Sequence, residues 1–114
     1  MGKINSKQKG ARFEREIAKK FKERGFEAHR SQQFCGANGD ADVTHTIDLG
    51  FMKPYIECKH VESLNLFKAM EQAKNDLKDE SERPVVIHKK NNKGTLVTME
   101  LDDWLDLIEK FFEV

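Results

Sequence analysis

The sequence predicts an α/β fold in the order α-β-β-β-α-β-β-α, a mixed central sheet flanked by helices and followed by a closing amphipathic helix. Three observations carry that expectation. Phe13, Ile17, Ala18 and Phe21 recur at helical spacing and the pattern stops at Gly25. Residues 53–60, with Tyr55, Ile56 and Cys58 at their centre, form a segment of strand length, with strand-like segments before it. Leu66, Met70, Ala73 and Leu77 then return to helical spacing before Pro84 opens a new strand. Helices alternating with strands in this way favour helices packed on a sheet.

Element by element, residues 1–6 read as a loose arm and 7–24 as a helix, with Gly25 suited to a C-terminal cap. Residues 26–31 read as a short strand, and 32–39, with two Gly and an Asn, as a loop. Strands follow at 42–49 and 53–60, joined by a turn at Gly50. A second helix is expected over 65–78 and a strand over 84–88. Asn91-Asn92-Lys93-Gly94 is a hairpin signal, with 95–99 as the returning strand. Leu101, Leu105, Ile108 and Phe112 mark the last helix, which also carries Trp104 and Phe111. Packing on its own sheet is the simplest expectation for that helix, with dimerisation as the other account of so apolar a face.

At 114 residues the chain is expected to be one domain, 1–114, with a single modest core. No apolar run approaches a membrane span and no secretory signal opens the chain. Cys35 and Cys58 lack metal-type spacing, and two cysteines in a charge-rich chain fit reduced thiols in a cytoplasm. The net charge of zero hides an asymmetry. Residues 1–30 carry ten Lys/Arg against four Asp/Glu, whereas residues 100–114 carry one Lys against six Asp/Glu. Such a split suits a one-sided positive surface for phosphates, and equally two solvated helix faces of opposite sign.

The chemistry rests on acidic residues. At 100° per residue Glu14 falls inside the apolar arc of the first helix, whereas Glu16 falls on its wet side. An inward carboxylate needs a partner, either a core-edge lysine or a cation. Asp42 sits before Val43 at a strand start, with Asp40 two residues earlier beside Gly39. Alone, either aspartate is an ordinary turn residue. Glu57 and Lys59 share one strand face while Ile56 and Cys58 point into the core. Their bland reading is a structural ion pair. Crowded carboxylates persist when a divalent cation or a proton relieves their repulsion, and a neighbouring lysine suits chemistry on a phosphate.

Residues 9–16 (KGARFERE), Gly25-Phe26, Arg30-Ser31, Ala41-Asp42-Val43 and residues 55–59 (YIECK) together resemble the PD-(D/E)xK nuclease superfamily. Within it the chain is most similar to the archaeal-type Holliday junction resolvases and their phage relatives, over roughly residues 6–90. The resemblance implies a restriction-endonuclease-like core. It implies that Glu14, Asp42, Glu57 and Lys59 are the catalytic set, with Gln72 on the second helix as an accessory glutamine. Ala41 stands where many members carry proline, and the acidic tail is foreign to the family pattern.

On that basis the expected cofactor is Mg²⁺ or Mn²⁺, which suit hard oxygen ligands. Asp42, Glu57 and the Cys58 backbone carbonyl are the expected ligands, with Glu14 binding a second ion or a water. Lys7, Lys9, Arg12, Arg15 and Arg30 are the expected phosphate contacts. The function expected is a structure-selective, phage or mobile-element DNA endonuclease of the cytoplasm (host cytoplasm if phage-encoded), acting on branched DNA. A homodimer follows from the same resemblance. The competing readings are a nicking or restriction-like nuclease on duplex DNA, an RNA-directed nuclease, and a nucleic-acid binding protein with structural carboxylates. His29, His45, His60 and His88 show no ligand spacing.

Overall fold

The structure, a computed structural model, describes residues 6–31 and 41–112. Its elements are α1 (Ser6–Glu23), β1 (Ala28–Arg30), β2 (Val43–His45), β3 (Lys53–His60), α2 (Leu66–Asn75), β4 (Glu82–Lys89), β5 (Leu96–Met99) and α3 (Leu101–Phe112). The strands form one mixed sheet in the order β1-β2-β3-β4-β5. Among the described strands only β3 and β4 run parallel; they are joined across α2, as a parallel pair requires a crossover. The α/β architecture expected from the sequence is the one observed.

Three of the helix ends have a local cause. At the end of α1, Gly25 adopts a φ of 92°, where a side chain would be strained. Its N–H donates to the Lys22 carbonyl at 3.0 Å and the Phe26 N–H donates to the Phe21 carbonyl at 3.0 Å. This pair of bonds is a Schellman cap, and the Phe21 and Phe26 rings close over it 6.4 Å apart. For α2, the Asn65 side chain caps the start by accepting from the Lys68 N–H at 3.0 Å. Its end comes earlier than the apolar periodicity suggests, because the Asp76 N–H turns back to the Gln72 and Ala73 carbonyls.

The core lies mainly between α1 and the sheet. Phe13, Ile17 and Ala18 of α1 pack on Ala28, Val43, Ile56, Cys58, Val85 and Ile87. Alternation sends the other face of the same strands toward α2, where Ala69 and Met70 cover Val86. Phe13, Ile56, Val43 and Val86 are among the most fully buried side chains, each contributing about 1.5–3 kcal/mol by leaving water. Glu57, Lys59 and Tyr55 share the α2-facing side of β3, so a charged pair occupies the layer opposite the main core.

Two expectations are corrected. The strand expected over 42–49 is only Val43–His45. Beyond it, the Ile47 N–H donates to His45 Nδ1 at 2.9 Å and the Leu49 N–H to the Met52 carbonyl at 3.0 Å, so local turns replace the ladder. The last helix forms where expected but packs only lightly on its own sheet: none of its residues is buried, while Asp103, Leu107 and Ile108 are half-buried. Its first turn is tethered by Lys74–Glu100 at 2.5 Å and Arg83–Asp103 at 3.3 Å. The expectations for residues 1–5, the loop over 32–39, Cys35 and Asp40 lie outside the described residues.

Candidate active site

The site forms where β2 and β3 part. Their pairing has one register pair, Val43 with Ile56. The Asp42 N–H donates to the Ile56 carbonyl at 2.9 Å, and there the backbone ladder ends. The Asp42 side chain takes over: its Oδ2 accepts the Cys58 N–H at 2.8 Å. A carboxylate thus stands in the ladder position that a backbone carbonyl would fill. The Ser31 N–H fixes the other side of this residue by donating to the Asp42 carbonyl at 3.0 Å, and the Ser31 hydroxyl bonds the Ala41 carbonyl.

Glu57 follows from strand geometry. It is the one buried charged residue among those described, 5% exposed, on the α2 side of β3. Lys59, two residues on, brings its Nζ to 4.0 Å from the Glu57 carboxylate, and the same Nζ donates to Gln72 Oε1 at 3.3 Å. The accessory glutamine suggested by resemblance therefore touches the lysine of the motif. Glu14 enters from α1. Its Oε1 accepts from Arg30 Nε at 2.7 Å, so its partner is an arginine of β1 and not a lysine.

Electrostatics ties the three carboxylates together. Burial, then the charge of Asp42, pushes the Glu57 carboxyl up to about 7, with Asp76 and Glu14 adding to the effect and Lys59 opposing it. Burial also raises Asp42, against the Cys58 hydrogen bond and the charges of Lys59 and Arg30. Glu14 is raised by burial and by Asp42, against its bond to Arg30. Burial and the surrounding carboxylates push the Cys58 thiol far up, so it is a neutral spectator and not a nucleophile.

Among the described residues no three acidic, histidine or cysteine side chains form a cage for an ion. Mg²⁺ is commonly held by one or two carboxylates together with water and substrate oxygens. Asp42 and Glu57 could contribute such carboxylates: burial raises both, the charge of Asp42 raises Glu57 further, and a nearby cation would oppose these shifts. The Cys58 carbonyl leaves the strand on the same edge as its N–H, which faces Asp42. All of these are hard oxygen donors. One oxygen of Glu14 is engaged by Arg30, which leaves it the weaker candidate for direct coordination.

Of the expected phosphate contacts, Lys7, Arg12 and Arg15 are exposed on α1, and Arg15 lies close enough to act on Glu14 electrostatically. Lys9 is half-buried and acts electrostatically on His60. Arg30 is committed to Glu14. Sequence reasoning passed over Asp76. It is half-buried at the C-terminal cap of α2 and adds negative potential at both Asp42 and Glu57. Its spacing of four from Gln72, one turn along the same helix face, was the available signal.

A strand-borne acid, a Glu-x-Lys strand beside it and a helix glutamate on a mixed α/β sheet define the PD-(D/E)xK class of nuclease fold. The chain belongs to the family described as "Phage putative PDDEXK endonuclease", whose sequence model matches residues 5–113. No curated protein sequence matches it. Among solved structures it is similar to Hjc, a Holliday junction resolvase from the archaeal hyperthermophile Archaeoglobus fulgidus. The two share 22% identity and a TM-score of 0.58, over 80% of this chain and 72% of that one. At that identity the likeness is one of fold.

Proposed function

We propose that residues 1–114 act as one Mg²⁺-dependent DNA endonuclease domain, of phage or mobile-element type, that hydrolyses phosphodiesters in branched DNA in the cytoplasm of its host. The observation that carries this reading is the parting of β2 from β3, where Asp42 holds the Cys58 N–H and a buried Glu57 lies beside Lys59.

In this reading Asp42, Glu57 and the Cys58 carbonyl hold the cation. When bound, it supplies charge stabilisation at the scissile phosphate and eases deprotonation of the attacking water. Lys59, braced by Gln72, orients the water and offsets negative charge growing on the phosphate. Attack on phosphorus breaks the opposite P–O bond and leaves one end bearing phosphate and the other hydroxyl. Glu14 positions Arg30 at the mouth of the site. Lys7, Arg12 and Arg15, exposed along α1, contact backbone phosphates and set the register of the DNA without reading sequence. The fold-level likeness to a junction resolvase supports branched DNA as substrate, and two copies acting as a pair suit a junction of two-fold symmetry.

The test is a panel of four-way junction, flap and linear duplex, each incubated with Mg²⁺ or with EDTA. We expect cleavage only with Mg²⁺, at least about 10-fold faster on the junction, a rate ratio worth about 1.4 kcal/mol. Equal rates on linear duplex would move the substrate to ordinary DNA. Cleavage in EDTA, or none of any substrate with Mg²⁺, would overturn the reading.

A further inference from the structure

The last helix poses a problem that its own chain does not solve. Leu101, Trp104, Leu105, Ile108, Phe111 and Phe112 fall within an arc of about 120° on α3. Such a stripe normally marks a face buried against a neighbour, yet no residue of α3 is buried. Beside it, β5 is the last strand of the sheet, with β4 as its one neighbour. Exposed edges are commonly guarded by charge, proline or a bulge. Leu96, Val97, Thr98 and Met99 offer no charge and no proline, and Leu96 and Val97 are 61% and 64% exposed. A shallow pocket lined by Val97, Met99, Leu101 and Trp104 makes the strand edge and the helix one continuous surface.

We propose that α3 and the outer edge of β5 form the contact with a second copy of this chain, related to the first by a two-fold axis. The inference rests on the paired-subunit reading above and adds the surface that makes the pair. Size favours a protein partner. Val97 of β5 and five large apolar residues of α3 are 40–82% exposed, whereas Leu96 faces the other side of the sheet. They present on the order of 600 Å², at the upper end for the largest patch of an ordinary monomer and approaching the roughly 800 Å² that each side of a stable interface contributes. Charge disfavours the obvious alternative, a bilayer surface. Helices that lie on lipid flank their apolar face with Lys/Arg, whereas α3 carries Asp102, Asp103, Asp106 and Glu109 against Lys110. Those acids lie outside the apolar arc, so two α3 stripes can meet without opposing like charges across the contact. A self-complementary stripe beside an unguarded strand edge is what an isologous dimer needs.

Sedimentation of the full chain from about 1 to 100 μM is expected to give twice the chain mass, within the affinity range of standard-sized interfaces. Trp104→Glu with Phe111→Lys is expected to weaken association at least about 100-fold and leave the circular dichroism unchanged, since neither residue is in the core. As a second measurement, a chain carrying Ile108→Cys is expected to cross-link to another copy under mild oxidant about 10-fold faster than one carrying Asp106→Cys on the outer face. A wild-type monomer at 100 μM overturns the proposal. So does a dimer untouched by the double variant, equal cross-linking at the two positions, or co-sedimentation with anionic vesicles in place of self-association. DNA cleavage is read on the same samples. A monomer that still cuts DNA removes the interface and leaves the nuclease reading; a dimer that cuts nothing supports the interface and removes the nuclease reading.

Discussion

Glu57→Gln is expected to lower Mg²⁺-dependent cleavage at least about 1,000-fold, a barrier increase of about 4 kcal/mol. The substitution keeps the shape of the side chain and removes a charge from a buried position beside Lys59. Asp42→Asn is expected to act similarly, and it separates two roles. The asparagine oxygen can still accept the Cys58 N–H, so the backbone junction of β2 and β3 survives while the anionic ligand is lost. Neither change touches the exposed cations of α1, so DNA binding and its weakening with salt are expected to persist. Single-turnover rates with saturating enzyme isolate the chemical step. A rate within about threefold of wild type, roughly 0.7 kcal/mol, for either variant would show that the carboxylates serve structure alone.

The second large effect is on stability. Glu57 titrates near 4.5 when unfolded and at about 7 in the folded, metal-free protein. The folded state therefore holds this proton more tightly, and stability from this group is fully present below about pH 4.5. It is lost as pH rises through the interval to about 7 and is level above that. The shift corresponds to about 3 kcal/mol at most, a large share of the stability of a domain this size. Asp42 and Glu14, also raised, act in the same direction. Glu57→Gln removes the dependence due to this residue, so the variant is expected to be more stable than wild type at pH 8 and to converge with it at pH 4.5. Urea unfolding of both proteins in EDTA at the two pH values measures the difference. A wild type no less stable than the variant at pH 8 would contradict the cost of holding a charged Glu57 in this buried site beside Asp42. Mg²⁺, by binding the folded state, is expected to narrow the gap.

Much of this was legible in the sequence where local chemistry dominates. β3 follows from its strand-forming centre, Tyr55 to Cys58, after the turn at Gly50, and α1 from its periodicity and Gly25. Glu14 was placed on the inward face by helix geometry, and Glu57 with Lys59 on one strand face by alternation. Recognition that these spacings match one nuclease superfamily joined residues whose proximity no local pattern could show. The length of β2 was not legible, because it is cut short by side chains. Asp42 takes a backbone position at one end, and His45 at the other accepts the Ile47 N–H. Nor was the Arg30–Glu14 pair, since it joins a strand to a helix 16 residues away. The stripe on α3 was plain, but periodicity says only that a face must be covered and never by what. Its own sheet was the nearest candidate, and the structure leaves most of the stripe exposed.

The central claim is that Asp42 and Glu57 converge on one divalent cation. Calorimetric titration of the protein with Mn²⁺ at pH 8, without DNA, tests it most directly, because uptake is read apart from catalysis. The account predicts saturable binding by wild type that weakens at least about 10-fold, or about 1.4 kcal/mol, in both Asp42→Asn and Glu57→Gln. Equal uptake by all three proteins, or none by wild type, would contradict it.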